Sequence, residues 1–197
     1  MTDDWDDYAN GWDGNAAVKL YADHAFACLA ARADICNAGW SSKRVLDFGC
    51  GTGLLAQIVA PHVNELVAAD TSEAMIAVLR GKSIRNVIAV HGDILAADYE
   101  DTADLDSGFD LIYASSVCGF LPDYANAVQA LARLLKPAGQ FIQWDWRASE
   151  GGDFGLSENQ ISNALQAAEL RSIQVEQAFS IVSGEQSLPV LIGAGFA

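Results

Sequence analysis

The 197-residue sequence predicts an α/β fold, a mostly parallel sheet doubly wound with helices on its two faces. Three observations predict it. Short apolar runs recur, several ending in a carboxylate and followed by residues at helical spacing. A glycine turn, Gly49-Cys50-Gly51-Thr52-Gly53, joins the first of these runs to a helix. Two alternating apolar runs separated only by Ser183-Gly184-Glu185-Gln186 close the chain as a hairpin. At 51% hydrophobic residues the chain can bury one core, so a single domain is expected over 1–197. Within it, 1–40 reads as an N-terminal arm and helix, and 41–197 as the core.

Composition narrows the function classes. No run approaches a membrane-spanning length, and Met1-Thr2-Asp3-Asp4-Trp5 lacks the basic and apolar regions of a secretory leader, so a cytoplasmic protein is expected. Cys28, Cys36, Cys50 and Cys118 form no C-x-x-C pair and read as reduced thiols, neither a disulfide framework nor a zinc site. Eleven basic against 26 acidic residues give a net charge of −15. Phosphate backbones are bound by Lys and Arg, so nucleic acid is excluded as a partner, and an anionic membrane surface likewise. The charge itself needs no explanation beyond solubility.

Taken in order, the residues before about 15 are acidic and aromatic, with Trp5, Asp6, Asp7, Tyr8, Trp12 and Asp13. Over 16–36, Val18, Ala22, Ala25, Leu29, Ala33 and Cys36 step by three or four along one helix face, and Gly39 ends that helix. Val45-Leu46-Asp47-Phe48 is a buried strand, and Leu54-Leu55-Ala56-Gln57-Ile58-Val59-Ala60 resumes helical spacing after the glycines. The turn between them aims backbone N–H groups and a helix N-terminus at a ligand, with side chains missing so that the ligand comes close. A dinucleotide fingerprint needs a glycine where Leu54 stands, and a P-loop needs Gly-Lys-Ser/Thr; neither is present.

The next strand, 65–70, ends in Asp70, placed where an acidic residue takes both hydroxyls of a ribose. Thr71-Ser72-Glu73-Ala74-Met75 opens the following helix. A third strand over 86–90 leads into His91-Gly92-Asp93-Ile94, and an acidic connection over 96–108 into a fourth strand over 109–113. The loop 114–123 lies beyond that strand's carboxyl end, where open parallel sheets bind ligands. Pro122 suits the first turn of a helix running to Leu135, which Lys136-Pro137-Ala138-Gly139 then breaks. Strand 140–144 ends in Asp145-Trp146-Arg147, and Gly151-Gly152-Asp153-Phe154-Gly155 is a loop. Ser157-Glu158-Asn159-Gln160 has capping-box form before a helix carrying Ile161, Leu165 and Ala168; runs 171–182 and 187–194 are the closing strands.

Together these runs resemble class I S-adenosylmethionine-dependent methyltransferases of the small-molecule type. The resemblance lies in Val45-Leu46-Asp47-Phe48-Gly49-Cys50-Gly51-Thr52-Gly53, Asp70-Thr71-Ser72-Glu73-Ala74-Met75, Gly92-Asp93, Leu121-Pro122-Asp123 and Leu134-Leu135-Lys136-Pro137-Ala138-Gly139. It implies a Rossmann-like seven-stranded sheet with an antiparallel last strand, and metal-independent in-line methyl transfer to a small-molecule acceptor. S-adenosylmethionine is then the cofactor and S-adenosylhomocysteine the product. The cofactor residues it implies are Asp47, Gly49, Cys50, Gly51 and Gly53 at the turn, and Asp70 with Thr71 at the ribose. Met75 is expected against the adenine, Asp93 on its amino group, Ile94 on its ring, and Ser115 beyond the fourth strand. Tyr8 and Trp12 either touch the methionine part or simply pack the arm. Phe120, Trp144, Asp145 and Trp146 are the acceptor candidates, the tryptophans serving equally well to seal the sheet edge.

The chain departs from many relatives by carrying Gly119-Phe120 where one or two histidines precede Leu-Pro-Asp, and it has no Asn/Asp-Pro-Pro-Tyr/Phe run. No base stands out. His24, His62 and His91 each have structural readings, and Asp145 is the one carboxylate placed for base or metal chemistry, too few for a metal site. A carboxylate ending strand four, as aminopropyltransferases usually have, is replaced by Ala114-Ser115. A protein methyltransferase and a non-catalytic cofactor-binding subunit are the alternatives, in a monomer or homodimer.

Overall fold

The computed structural model describes residues 5–97, 99, 104–149, 154–183 and 186–197. Its strands are ordered β3 (Val87–His91), β2 (Glu65–Asp70), β1 (Arg44–Phe48), β4 (Phe109–Ser115), β5 (Leu135–Trp146), β7 (Gln186–Phe196) and β6 (Arg171–Ser183) in one seven-stranded sheet, with the β7 pairings antiparallel, so the expected Rossmann-like methyltransferase sheet is found. The chain divides into two compact units, Met1–Asp104 and Leu105–Ala197. No helix among the described residues is long and apolar enough to cross a membrane.

The first unit runs α1 (Asp6–Ala9), a 3-10 turn (Trp12–Gly14), α2 (Ala16–Ala33), a second 3-10 turn (Ala38–Ser42), β1 (Arg44–Phe48), α3 (Leu54–Val59), β2 (Glu65–Asp70), α4 (Glu73–Gly81) and β3 (Val87–His91). Asn15 starts α2 by accepting from the Ala17 N–H at 2.9 Å, and Tyr21, Ala22, Ala25 and Leu29 form its buried face. The helix ends earlier than its apolar spacing predicts. Asp34 takes the left-handed conformation (φ 51°) and stops it at Ala33, leaving Cys36 exposed and Gly39 inside the next 3-10 turn. Aspartate tolerates that conformation, and Trp40 Nε1 donates to the Ala33 carbonyl at 2.9 Å, satisfying an acceptor at the helix end. β1, β2 and β3 pair in parallel, with Phe48 opposite Ala69 and Asp70 opposite His91. The carboxyl ends of β1 and β2 therefore lie side by side.

The second unit contains β4 (Phe109–Ser115), a 3-10 turn (Cys118–Phe120), α5 (Tyr124–Arg133), β5 (Leu135–Trp146), α6 (Glu158–Ala167), β6 (Arg171–Ser183) and β7 (Gln186–Phe196). Three expectations are corrected here. Pro122 precedes α5 instead of opening it, since Asp123 is the N-cap. The helix stops at Arg133, and Lys136-Pro137-Ala138-Gly139 lies inside β5. There the register jumps from Phe109–Leu135 to Leu111–Gln140 with Ala138 at φ 62°, an irregularity that accommodates a proline lacking its N–H. Finally, β5 continues through Asp145 and Trp146, because β7 pairs along it as far as Trp146–Val190. The Ser157 capping box and the closing hairpin are found as expected. Residues 151–153 of the expected loop, and 98 and 100–103 of the acidic connection, lie outside the described residues.

Candidate functional site

In the first unit the glycine turn is built by three left-handed residues, Gly49 (φ 69°), Gly51 (φ 54°) and Gly53 (φ 78°). A Cβ on Gly53 would stand 2.4 Å from Leu79 Cδ1, so this glycine lets α4 pack on the turn. A Cβ on Gly51 would meet nothing nearer than Met75 Sδ and Trp12 Nε1, both at 4.0 Å. Gly51 is the one that leaves room for a ligand. The expectation of bare glycine amides fails. Gly49 and Cys50 N–H donate to the Ala69 carbonyl (2.8 and 3.0 Å), Gly51 N–H to Asp70 Oδ2 (2.7 Å), and Gly53 N–H to the Cys50 carbonyl (2.9 Å). These donors are used to shape the turn.

Asp70, at the end of β2, accepts from Gly51 N–H through one oxygen and from Ser72 N–H (2.9 Å) through the other. A carboxylate offers about four acceptor positions, and with the Thr71 backbone also hydrogen-bonded to Asp70 one of them is left. Burial pushes its pKa up, against the lowering effect of the backbone hydrogen bonds from Ser72, Gly51 and Thr71. Asp47 is buried at 1% exposure within β1, and its charge, with that of Asp70 and above all burial, raises the Cys50 thiol well above its usual value. Cys50 is therefore a neutral thiol at physiological pH.

Met75 is 2% exposed on α4, under Gly51, and Thr71 is exposed, its carbonyl 3.2 Å from His91 Nε2. Asp93 is exposed and turns its Oδ1 to Leu95 N–H (3.0 Å), with Ile94 buried beside it. His62 stacks on Phe26 at 5.6 Å, a packing role.

Sequence reasoning missed how the arm is fastened. Asp6 Oδ1 accepts from Ser72 Oγ (2.5 Å) and Ala74 N–H (3.2 Å), which holds its carboxyl below the usual value. Asp13 accepts from Thr52 Oγ1 (2.5 Å) and pairs with Lys82 Nζ (2.7 Å). Between these two anchors Trp12 packs edge-on against Trp5 (6.3 Å) and Tyr8 (6.5 Å). Tyr8 is 52% exposed, whereas Trp12 lies beside Gly51. In the sequence Asp6 and Asp13 are two among many solubilising acids, and nothing there separates them.

In the second unit the acceptor candidates divide. Trp144 is fully buried and edge-on to Tyr113 (6.5 Å), so it is core and not a wall. Asp145 is 1% exposed, which corrects its reading as a substrate-facing group or base. Trp146 is half-buried, its Nε1 donating to Ser116 Oγ (3.0 Å), next to Ser115 at the end of β4. Phe120 is 38% exposed and packs on Phe154 with ring centroids 5.5 Å apart. Phe120 and Phe154 thus form an exposed aromatic pair in this unit.

A carboxylate and a glycine turn at neighbouring strand ends are the arrangement with which doubly wound α/β folds hold nucleosides. Residues 46–143 match the methyltransferase domain family. About half of the chain is thus a methyltransferase domain, on the fold of the S-adenosylmethionine-dependent methyltransferases. It is 36% identical over 108 residues to a ubiquinone biosynthesis O-methyltransferase of Alkalilimnicola ehrlichii, covering 54% of this chain and 43% of that protein. Against the curated relatives it matches, the aligned part spans about half their length. The fold is shared with the N-methyltransferase NodS from Bradyrhizobium japonicum (TM-score 0.66, 19% identity, 94% of this chain and 89% of that one). It is shared too with the [4+2]-cyclase SpnF (TM-score 0.69, 17% identity, 91% and 81%).

Proposed function

We propose that the chain transfers a methyl group from S-adenosylmethionine to a small-molecule oxygen nucleophile. The observation that carries this reading is Asp70, held by the Gly51, Ser72 and Thr71 backbone at the end of β2 with acceptor capacity left over, beside Gly51. A ribose hydroxyl fits the remaining position, such a hydrogen bond to a charged acceptor contributing about 1.5–3 kcal/mol. Asp93, through the oxygen that makes no hydrogen bond among the described residues, accepts from the adenine amino group. Trp12 and Met75 close around Gly51, and a polarised sulfonium favours such soft and aromatic neighbours over cations. When bound, the cofactor supplies a methyl carbon already activated for displacement. The protein's part is then alignment of nucleophile, methyl and sulfur, which lowers a barrier by about 7–11 kcal/mol. An oxygen acceptor is favoured by the O-methyltransferase relative, while NodS and SpnF show that the fold alone fixes neither the methylated atom nor the reaction.

Calorimetric titration with S-adenosylmethionine tests the cofactor half, with Asp70→Ala expected to weaken binding at least about tenfold. Unchanged affinity would remove the ribose assignment. Labelled methyl transfer to a panel of phenols, run beside a panel of basic peptides, tests the acceptor half. Transfer to peptides alone would replace the small-molecule reading, and intact cofactor binding without transfer to either would favour a binding subunit.

A further inference from the structure

We propose that Asp145 is a positioning residue of the acceptor side, its buried carboxylate fixing the turn Cys118–Phe120 and so the exposed ring of Phe120. This rests on reading that turn as acceptor-facing.

The carboxylate sits in β5, 1% exposed, and each of its oxygens accepts a hydrogen bond. Oδ1 accepts from Gly119 N–H at 2.9 Å, and Oδ2 accepts from Gln143 Nε2 at 2.9 Å. Gln143 Oε1 in turn accepts from Tyr124 Oη at 2.7 Å. Tyr124 is the first residue of α5. One chain of hydrogen bonds therefore ties the turn that carries Phe120 to the helix after it. Burying a charge is costly, and an apolar residue at 145 would avoid the cost. What the carboxylate contributes in exchange is a fixed backbone N–H in the middle of that turn.

The turn is fixed from its other side as well. A Cβ on Gly119 would lie 3.4 Å from Asp145 Oδ1 and 3.7 Å from Gly155 Cα, so two glycine backbones meet there. Gly155 (φ 88°) has no space for a side chain, since its Cβ would fall 2.5 Å from the Trp146 carbonyl. Leu156 N–H donates to that carbonyl at 2.8 Å, and Ala148 N–H to the Leu156 carbonyl at 3.0 Å. Phe120 and Phe154, 38% and 51% exposed with rings 5.5 Å apart, thus stand on backbone held from inside the sheet. A pre-set aromatic pair suits a planar aromatic acceptor, because little ordering is left to be done on binding.

The chain also has a direction. With Asp145 ionised, Gln143 must turn its NH₂ to Asp145 and its carbonyl to Tyr124. A proton on Asp145 Oδ2 aimed at Gln143 makes it a donor, in which case the Gln143 amide flips and the Tyr124 hydroxyl faces an NH₂ group. Burial raises Asp145 to about 7, against the lowering effect of Gly119 and Gln143, so the reversal falls near neutrality. The other groups facing it are Cys118 from the turn and Tyr124 from α5, both pushed up by burial and neutral throughout this range. β7 presents Leu191 opposite Asp145.

Nuclear magnetic resonance on the full chain tests this without reference to catalysis. The Gly119 amide shift should move across about pH 5–9 with its midpoint near 7, and stay flat in Asp145→Asn. A Gly119 amide shift that is the same in the unmodified chain and in Asp145→Asn at every pH overturns the proposal even if Asp145→Ala proves unable to fold. With catechol as probe acceptor, Asp145→Ala should raise KM about tenfold with S-adenosylmethionine affinity unchanged, and Asp145→Asn should recover most of it. A matching loss of cofactor affinity, or Phe120 ring resonances unmoved in Asp145→Ala, also overturns it. Absence of transfer to any phenol, with the Gly119 titration intact, removes the acceptor reading and not the role of Asp145.

Discussion

Gly51 and Gly53 look alike in the sequence, both spaced for a tight turn, yet a methyl group on each meets different surroundings. At Gly53 it lands 2.4 Å from Leu79 Cδ1 at φ 78°, so Gly53→Ala should cost about 1–3 kcal/mol, read as a lower urea midpoint. At Gly51 it meets Trp12 and Met75 at an unstrained 4.0 Å but at φ 54°, a backbone strain of roughly 1–2 kcal/mol, and fills the space between them. Gly51→Ala should lose cofactor binding in calorimetry by more than its stability loss explains. Asp145 yields a prediction of opposite character. Its folded pKa of about 7 lies above the unfolded value of 3.8, so between those values the folded chain holds the extra proton. Stability from this group is therefore fully present below pH 3.8 and falls as pH rises to about 7. Asp145→Asn should flatten that slope, each kcal/mol moving the melting temperature by about 2–4 °C. The carboxylate was legible as unusual, but its direction was not. Strand alternation puts Asp145 and Gln143 on one face, and only the extension of β5 fixes which residues alternate.

Among the elements, α4 shows how a helix start can serve two purposes. Ser72 accepts from Met75 N–H (3.1 Å) as N-cap and donates to Asp6 on the arm. Ser72→Ala should lose the cap, about 1 kcal/mol, and loosen the arm as well. Hydrogen exchange would show faster exchange at Tyr8 and Ala9, whereas unchanged exchange there would place the arm's hold elsewhere, at Asp13. The Asp6 carboxyl, held below its usual value of 3.8, keeps its contacts above that pH and releases them as pH falls. The strands and closing hairpin were legible because alternation and apolar runs report burial directly. Helix ends were not. Asp34 in the left-handed conformation and the irregular register at Lys136-Pro137-Ala138-Gly139 depend on what the backbone packs against, which local spacing does not encode. The tether of Asp13 to Thr52 and Lys82 was hidden for the same reason: its partners lie 39 and 69 positions away in the chain.

For the molecule as a whole, the net charge of −15 becomes a way to separate the two enzyme readings. An anionic protein draws a cationic peptide by long-range attraction, which salt screens over about 8–10 Å at physiological strength. A neutral phenol feels no such pull. Its affinity comes from contact with groups such as the Phe120–Phe154 pair, whose contribution salt barely changes. If the acceptor is a small neutral molecule, kcat/KM for catechol should vary less than about twofold between low salt and about 0.3 M. A basic-peptide substrate should instead show kcat/KM falling several-fold over the same range, with the loss in association rate. A steep salt dependence for the best acceptor found would therefore transfer the assignment to the protein-methylating reading. Because S-adenosylmethionine binding is read separately by calorimetry, that result would leave the Asp70 ribose site standing.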